Sequence, residues 1–429
     1  MADDQSTIDS KYNLDDYDDD SSDDMITFSQ SAPYYKDPKD DPNLAMNSDS
    51  DSDRDDLLIT PFDDLIVSVV TENEEASRLE VSIYEEEEDN LYVHHDVMLP
   101  ALPLCVEWMN FRPGQSAKDP IGSRGNIAAV GSFLPTIELW DLDVMESIEP
   151  VAMLGGKLKS LGHAKPNKQF SLTKDAHQDA VLGLSWNRIR RNLLASASAD
   201  KTVKIWELQK QTHIETFKHH RAQVQSVQWN PIKPEILLTG SFDKTVLAFD
   251  VRQPKNVASR FKLSSDVESL CWNPFNENQF LASTDRGAIS LHDIRMANKR
   301  IFLLSTHGSK EISTVQFNPR VPNFFLSAST DCTVKLWAIE NKKVPSCLQT
   351  ISSPVGKVFS AQFSHDNPFL VVMGGTNLHV FDALTSSAVR NAFATQADKI
   401  GAENKQKKMK FLESISTTGG SGSSSTMTD

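Results

Sequence analysis

Between residues 64 and 384 the chain is written in short runs whose polar and apolar residues alternate. In the stretch 306–351, ISTVQF (312–317) alternates, FFLSAS (324–329) is continuously apolar, and TVKLWAI (333–339) alternates again. Alternation predicts half-buried strands, and a short apolar run between turn formers predicts a strand buried on both faces. Asn318-Pro319 and Ser329-Thr330-Asp331 supply the turns between them. SCLQTI (346–351) predicts a fourth, outer strand. The same phrase occurs four times: AHQDAVLGLSWNRIRRNLLASASADKTVKIWEL from 176, HHRAQVQSVQWNPIKPEILLTGSFDKTVLAFDVR from 219, SSDVESLCWNPFNENQFLASTDRGAISLHDIR from 264, and THGSKEISTVQFNPRVPNFFLSASTDCTVKLWAIE from 306. Its first aromatic falls at Trp186, Trp229, Trp272 and Phe317, and its turn aspartate at Asp200, Asp243, Asp285 and Asp331. One such sheet has two apolar faces and cannot bury both alone. Stacking the copies in a ring buries every face.

A beat near 40–45 residues, with one aspartate and one late aromatic per copy, resembles the WD40 repeat. That resemblance implies an all-β chain folded as a seven-bladed WD40 β-propeller. The blades are expected at 57–103, 104–146, 175–209, 217–252, 258–296, 301–340 and 347–384. In the second, Trp108 and Trp140 take the early and late aromatic positions, and Trp140-Asp141 is a literal Trp-Asp dipeptide. In the seventh, Phe363 and Phe381 do so. A sheet with an open edge invites unwanted pairing, so the ring is expected to close by pairing a strand near 65–70 with the last sheet.

His177, a serine (Ser196 or Ser198) and Asp200 have the composition of a hydrolase triad. The set returns as His220/Asp243 and His307/Asp331, and an enzyme has no need of three identical active sites. In WD40 proteins such residues form a buried hydrogen-bond network that ends on the late tryptophan, here Trp206 and Trp337. Such a network pairs polar groups that burial would otherwise orphan. Phe249 and His292 replace the late tryptophan in two copies, and the 263–296 copy has no histidine before its first strand. Those blades are expected to depend more on packing. His94 and His95, adjacent in a predicted strand, should point to opposite faces and make poor co-ligands for a metal. No metal or cofactor is implied.

Charge divides the 429 residues. Residues 1–89 carry 29 acidic and 5 basic side chains, the remainder 30 and 38. Residues 1–56, rich in Asp and Ser, bury too little to offset the entropy of ordering and are expected to be a disordered acidic leader. Ser21, Ser48, Ser50 and Ser52 each have an acid three residues on and are candidate sites for an acidophilic kinase. The propeller is expected over 57–390, with a basic insert at 147–174 and a flexible Ser/Gly-rich tail at 391–429. Lys157, Lys159, Lys165, Lys168 and Lys174 of the insert, with Arg188, Arg190 and Arg191 in the next predicted turn, are candidate contacts for nucleic acid or an acidic partner. KQKKMK (405–410) is a weak candidate nuclear address. Cys105, Cys271, Cys332 and Cys347 are scattered without zinc-like or disulfide-framework spacing, and Cys271 is expected to be buried. The N-terminus does not read as a signal peptide, and no apolar run reaches the ~18–20 residues of a membrane span. A soluble intracellular protein is the expectation.

The phrases RLEVSIYEEEEDNLYVHHDVMLPALPLCVEWMNF, DAVLGLSWNRIRRNLLASASADKTVKIWEL and LASTDRG resemble the periodic tryptophan protein 1 family, over about residues 57–390. The resemblance implies a nucleolar, non-catalytic scaffold for large-subunit ribosome assembly and pre-ribosomal RNA processing. Its implied partners are assembly factors and ribosomal proteins, with pre-ribosomal RNA and histones as further candidates, and no membrane or small-molecule substrate. A histone-binding chromatin protein is a competing expectation. So is a ubiquitin-ligase substrate receptor, because Asp250-x-Arg252 and the HDIR of 292–295 approach the adaptor-docking box of such receptors.

Overall fold

The computed structural model describes residues 64–72, 76–86, 88–114, 125–145, 147–158, 170–254, 257–296, 299–340 and 344–418. Among the described residues seven antiparallel sheets of three or four strands follow one another along the chain, each a simple meander. Sheet 1 has three strands (Asp64–Glu72, Ala76–Glu85, Asn90–Leu99). Sheet 2 runs from Pro103 to Leu154, sheet 3 from Val181 to Phe217 and sheet 4 from Val224 to Lys262. Sheet 5 runs from Val267 to Ser305 and sheet 6 from Thr314 to Ser352. Sheets 2–6 have four strands each. Sheet 7 has three (Ser360–Phe363, Leu370–Gly374, Leu378–Asp382).

The apolar faces pack pairwise around a ring. Met109, Ile127 and Leu139 of sheet 2 meet Val181, Trp186 and Trp206 of sheet 3. Equivalent clusters join sheets 3 and 4, 4 and 5, 5 and 6, 6 and 7, and 1 and 2. The last cluster joins sheet 1 to sheet 7 through Ile66, Tyr84 and Leu370, and it is the smallest. The molecule is a seven-bladed β-propeller.

Hydrogen bonds lace the sheets as well. The residue before each early aromatic accepts the backbone N–H of the next sheet's early aromatic. Glu107 receives Trp186 at 3.1 Å, Ser185 Trp229 at 3.1 Å, Gln228 Trp272 at 2.7 Å, Cys271 Phe317 at 3.2 Å and Gln316 Phe363 at 2.7 Å. The asparagine after the aromatic reaches forward too. Asn187, Asn230 and Asn318 donate from Nδ2 to the carbonyls of Pro234, Glu277 and Pro368.

Three features differ from the sequence reading. First, the strand Asp64–Glu72 pairs with Ala76–Glu85 and not with sheet 7. Closure is by face packing, helped by a Ser364–Asp64 side-chain hydrogen bond of 2.8 Å. The reason lies in strand positions. In sheets 3–6 the third and fourth strands share a bulge beside the late aromatic, as between Ile205 and Trp206. In sheet 1 that bulge lies between the second and third described strands, and the third leads directly to the innermost strand of sheet 2. Sheet 1 therefore presents its second, third and fourth strands, and among the described residues its innermost strand is absent.

Second, that bulge falls at His94, because Val81 faces His95 while Ser82 faces Val93. A bulge interrupts the alternation of faces, so the two imidazoles turn together, with Nδ1 atoms 2.8 Å apart. Among the described residues no group of three or more His, Cys, Asp or Glu is placed to hold a metal.

Third, a helix (Ser387–Thr418, α1), with a kink at Phe393, begins at the end of the expected propeller and takes up residues 391–418 of the expected flexible tail 391–429. Val389, Phe393 and Ile400 are buried against sheets 6 and 7, and Phe393 packs on Phe324 with ring centroids 4.7 Å apart. The kink at Phe393 lets both arms of the helix turn these residues toward the sheets. In the expected basic insert, Ala152–Leu154 is the outer strand of sheet 2, and Gly156–Leu158 pairs with Phe170–Leu172 as a small hairpin. The leader 1–56 and residues 419–429 lie outside the described residues.

Candidate functional site

His177 lies in the loop entering sheet 3, Ser196 on the second strand, Asp200 in the following turn and Trp206 on the third strand. His177 Nδ1 is 2.9 Å from Asp200 Oδ2, His177 Nε2 is 2.7 Å from Ser196 Oγ, and Trp206 Nε1 donates to the same hydroxyl at 2.9 Å. These distances fit one arrangement of protons. The indole N–H donates to the serine oxygen, the serine O–H to Nε2 of a neutral imidazole, and the Nδ1–H to the carboxylate. Burial holds the His177 pKa below its ordinary value against the pull of Asp200. Burial pushes the Asp200 carboxyl up, but hydrogen bonds from His177, Thr202 and the Gln178 N–H outweigh it and leave the pKa well below the usual range. Ser198 serves elsewhere: it donates to the Asp179 carbonyl and accepts the Asp200 N–H.

The arrangement returns in graded form. Sheet 6 is complete, with His307 on Asp331 (2.8 Å) and Ser327 (2.9 Å), and Trp337 on Ser327 (3.0 Å). Sheet 4 keeps His220 on Asp243 (3.0 Å) and Thr239 (2.9 Å), but Phe249 brings no donor. Sheet 5 has lost it all. Its strand register sets Ala282 where Ser196 stands and His292 where Trp206 stands. Asp285 is one residue out of step. Its N–H bonds the Asp266 carbonyl as the Ala199 N–H bonds that of Ala180, and the left-handed turn residue is Gly287 where the other sheets have Lys201, Lys244 and Cys332. Arg286, not Asp285, therefore occupies the aspartate position. His292 is held instead by a stack on Phe280 (5.3 Å) and a 2.9 Å contact to Ser290, and burial pushes its pKa down to about 4.

The network serines Ser196 and Ser327 are fully buried. The sets brace the sheets from within and present no nucleophile to solvent.

The candidate basic contacts are dispersed. Arg190 pairs with Glu235 of sheet 4 at 2.8 Å. Arg191 is turned inward onto the Asn110 carbonyl, while its own carbonyl accepts Trp186 Nε1 at 2.8 Å. Arg188 is exposed, within electrostatic range of Glu107. Lys157 lies on the small hairpin and Lys174 in the turn that follows it. Lys159, Lys165 and Lys168 lie outside the described residues, as do Ser21, Ser48, Ser50 and Ser52.

Sequence reasoning missed Glu107. Burial pushes this carboxyl up to about 7, partly offset by the Trp186 N–H and Arg188. Its signal was position: it directly precedes Trp108, as Ser185 precedes Trp186. Of the four cysteines, Cys271 is buried and Cys347 exposed, and none forms a disulfide.

Comparison with known proteins agrees with this architecture. Residues 298–338 match the model of the WD domain, G-beta repeat, and residues 162–231 match that of the anaphase-promoting complex subunit 4 WD40 domain. An uncharacterized WD repeat-containing protein of Schizosaccharomyces pombe is 38% identical over 90% of this chain and 75% of its own length. The periodic tryptophan protein 1 homolog of Drosophila melanogaster is 31% identical over 81% of this chain and 73% of its own. Periodic tryptophan protein 1 of Saccharomyces cerevisiae is 30% identical over 87% and 72%. With a propeller and two relatives of that name at 30–31% identity, each matched over more than two thirds of its length, the chain belongs to the periodic tryptophan protein 1 family.

Proposed function

We propose that this protein is a non-catalytic scaffold in the nucleolus that holds assembly factors and ribosomal proteins during large-subunit ribosome assembly and pre-ribosomal RNA processing. Membership of the family carries this reading, because such roles are what the family resemblance implies. The division of charge supports it. An acid-rich front suits basic ribosomal proteins and histones, and the mildly basic remainder suits RNA or acidic factors, both through salt-sensitive attraction. A ring of braced sheets contributes rims and loops for holding partners, and the triad-like side chains among the described residues are spent on each other.

The test is depletion of the protein in its native cell, followed by measurement of ribosomal RNA precursors. Accumulation of large-subunit precursors, with small-subunit precursors unchanged, is the expected result. A normal precursor profile rejects the reading. Phosphate on Ser21, Ser48, Ser50 and Ser52 belongs to the same proposal, and mass spectrometry of the native protein that finds all four unmodified removes it.

A further inference from the structure

In sheets 2–6 a fourth strand lies outside the third and covers it. In these sheets the late aromatic position of the third strand is buried, packed toward the preceding sheet: Trp140 is 1% exposed, Phe249 1% and Trp337 4%. Sheet 7 ends at its third strand, Leu378–Asp382, and all five of its residues, Phe381 included, are only half-buried.

The hydrogen-bond phase shows what this edge offers. The Ala383 N–H donates to the Phe369 carbonyl and the Gly375 N–H to that of Asn377. With Val372 opposite Val380, the backbone groups of His379 and Phe381 therefore point toward the second strand, and those of Leu378 and Val380 point away from the sheet. Sheet 4 has the same phase. There the outward groups of Val246 and Ala248 meet Phe261 and Ser259 of its fourth strand. In sheet 7 the corresponding groups of Leu378 and Val380 have no partner among the described residues. Their side chains help to form a shallow apolar floor with Leu91 of sheet 1.

Acidic groups outnumber basic ones around this edge, where Arg390 of α1 lies within electrostatic range of Asp382. Tyr84 Oη donates to Asp89 at 2.8 Å, and Glu86 and Asp382 lie close enough to the phenol to act on its ionisation. Asp64 bonds Ser364 at the same seam.

We propose that the outer edge of sheet 7, at Leu378 and Val380, is a docking site for an extended segment of a partner protein. The segment adds itself as the missing fourth strand. It carries apolar side chains at alternate positions, to cover the Leu378–Val380 floor, and lysine or arginine at its ends, to meet Asp382, Glu86 and Asp89. Main-chain pairing supplies affinity and the alternate side chains supply choice, as in other cases of strand addition. Charge selects the occupant. The chain's own leader is strongly acidic, and a second copy would bring the same carboxylates to face these. The inference holds whichever assembly the scaffold serves.

The test uses the full-length protein and a fluorescent synthetic nonapeptide of alternating valine and threonine, flanked at each end by Lys-Arg, read by polarisation. Two N-methylated versions are compared, one methylated on the residues whose N–H faces the edge and one on the others. The expected result is that the first binds at least about tenfold more weakly, while the second binds like the parent. Val380→Pro, which removes an outward N–H and leaves pairing to the second strand intact, weakens the parent peptide by a similar factor. Equal binding of the two methylated peptides overturns the proposal even where the proline variant fails to fold. So does a photoreactive residue at Leu378 that crosslinks, in the purified protein, to residues 1–63 of its own chain or to a second copy.

Discussion

Ser196 is the hub of the sheet 3 network, and Ser196→Ala tests the bracing role directly. The substitution removes one oxygen. It leaves Trp206 Nε1 without an acceptor and His177 Nε2 without a donor, both in an interior where Ser196 is 0% and Trp206 1% exposed. An orphaned buried polar group costs about 1–3 kcal/mol. Two of them, partly relieved by a small shift of the indole, give a loss of about 3 kcal/mol. Unfolding entropy scales with length at about 2 cal/mol/K per residue, so for a folded body of about 330 residues this is a fall of about 4 °C in Tm. Differential scanning calorimetry measures it. Ala282→Ser is the matched control. In sheet 5 the neighbouring positions hold no indole and no loop histidine, and only the buried, unpartnered Nδ1 of His292 lies at the Trp206 position, so a hydroxyl there gains at most one hydrogen bond and Tm rises by no more than about 2 °C. The triple change His177→Leu, Ser196→Ala and Trp206→Phe, which imitates the apolar character of sheet 5, should cost less than the sum of its parts, because no buried group is then left orphaned. A fall of less than 1 °C for Ser196→Ala, or a rise for Ala282→Ser as large as that fall, refutes the reasoning.

Three further outcomes follow from the packing. Glu107 has a folded pKa raised to about 7, so its contribution is fully present below the ordinary carboxylate pKa and is lost as pH rises through 7. Glu107→Gln, which keeps an acceptor for the Trp186 N–H, should raise Tm at pH 8 and leave it unchanged at pH 4, by the same calorimetry. Asn318→Ala removes the donor to the Pro368 carbonyl and the acceptor for the N–H groups of Arg320 and Val321. It should cost about 2–3 kcal/mol and speed amide exchange at the joint between sheets 6 and 7, read by hydrogen-exchange mass spectrometry. Phe393→Ala should cost about 3 kcal/mol and expose α1 to trypsin at Lys399 and Lys405 while the sheets resist, as judged by timed digestion.

The repeats were legible because each early aromatic, Trp186 to Phe317, answers a demand that every sheet makes alike. The seven blades and the partners of His177, His220 and His307 could be read from that demand. What was not legible is what breaks the repetition. Asp285 keeps the beat to within one residue, and only the backbone, through Gly287, reveals that it stands at the wrong place in its turn. The bulge at His94 reverses a conclusion drawn from strict alternation. Helix α1 was hidden because Val389, Phe393 and Ile400 are diluted by polar neighbours. The three arginines at 188–191 look alike as letters. Two are spent on Glu235 and Asn110, which only the packing of adjacent sheets could disclose.

The contact between Asp64 and Ser364 spans 300 residues of chain. A ribosome adds about 5–20 residues each second, so sheet 1 emerges about 15–60 s before the surface that must cover Ile66 and Tyr84 has been made. During that interval the nascent protein is an arc with two greasy ends, one of them already clear of the ribosome. The ring therefore closes last, and a chain stopped before residue 370 leaves Ile66 and Tyr84 without the surface that covers them.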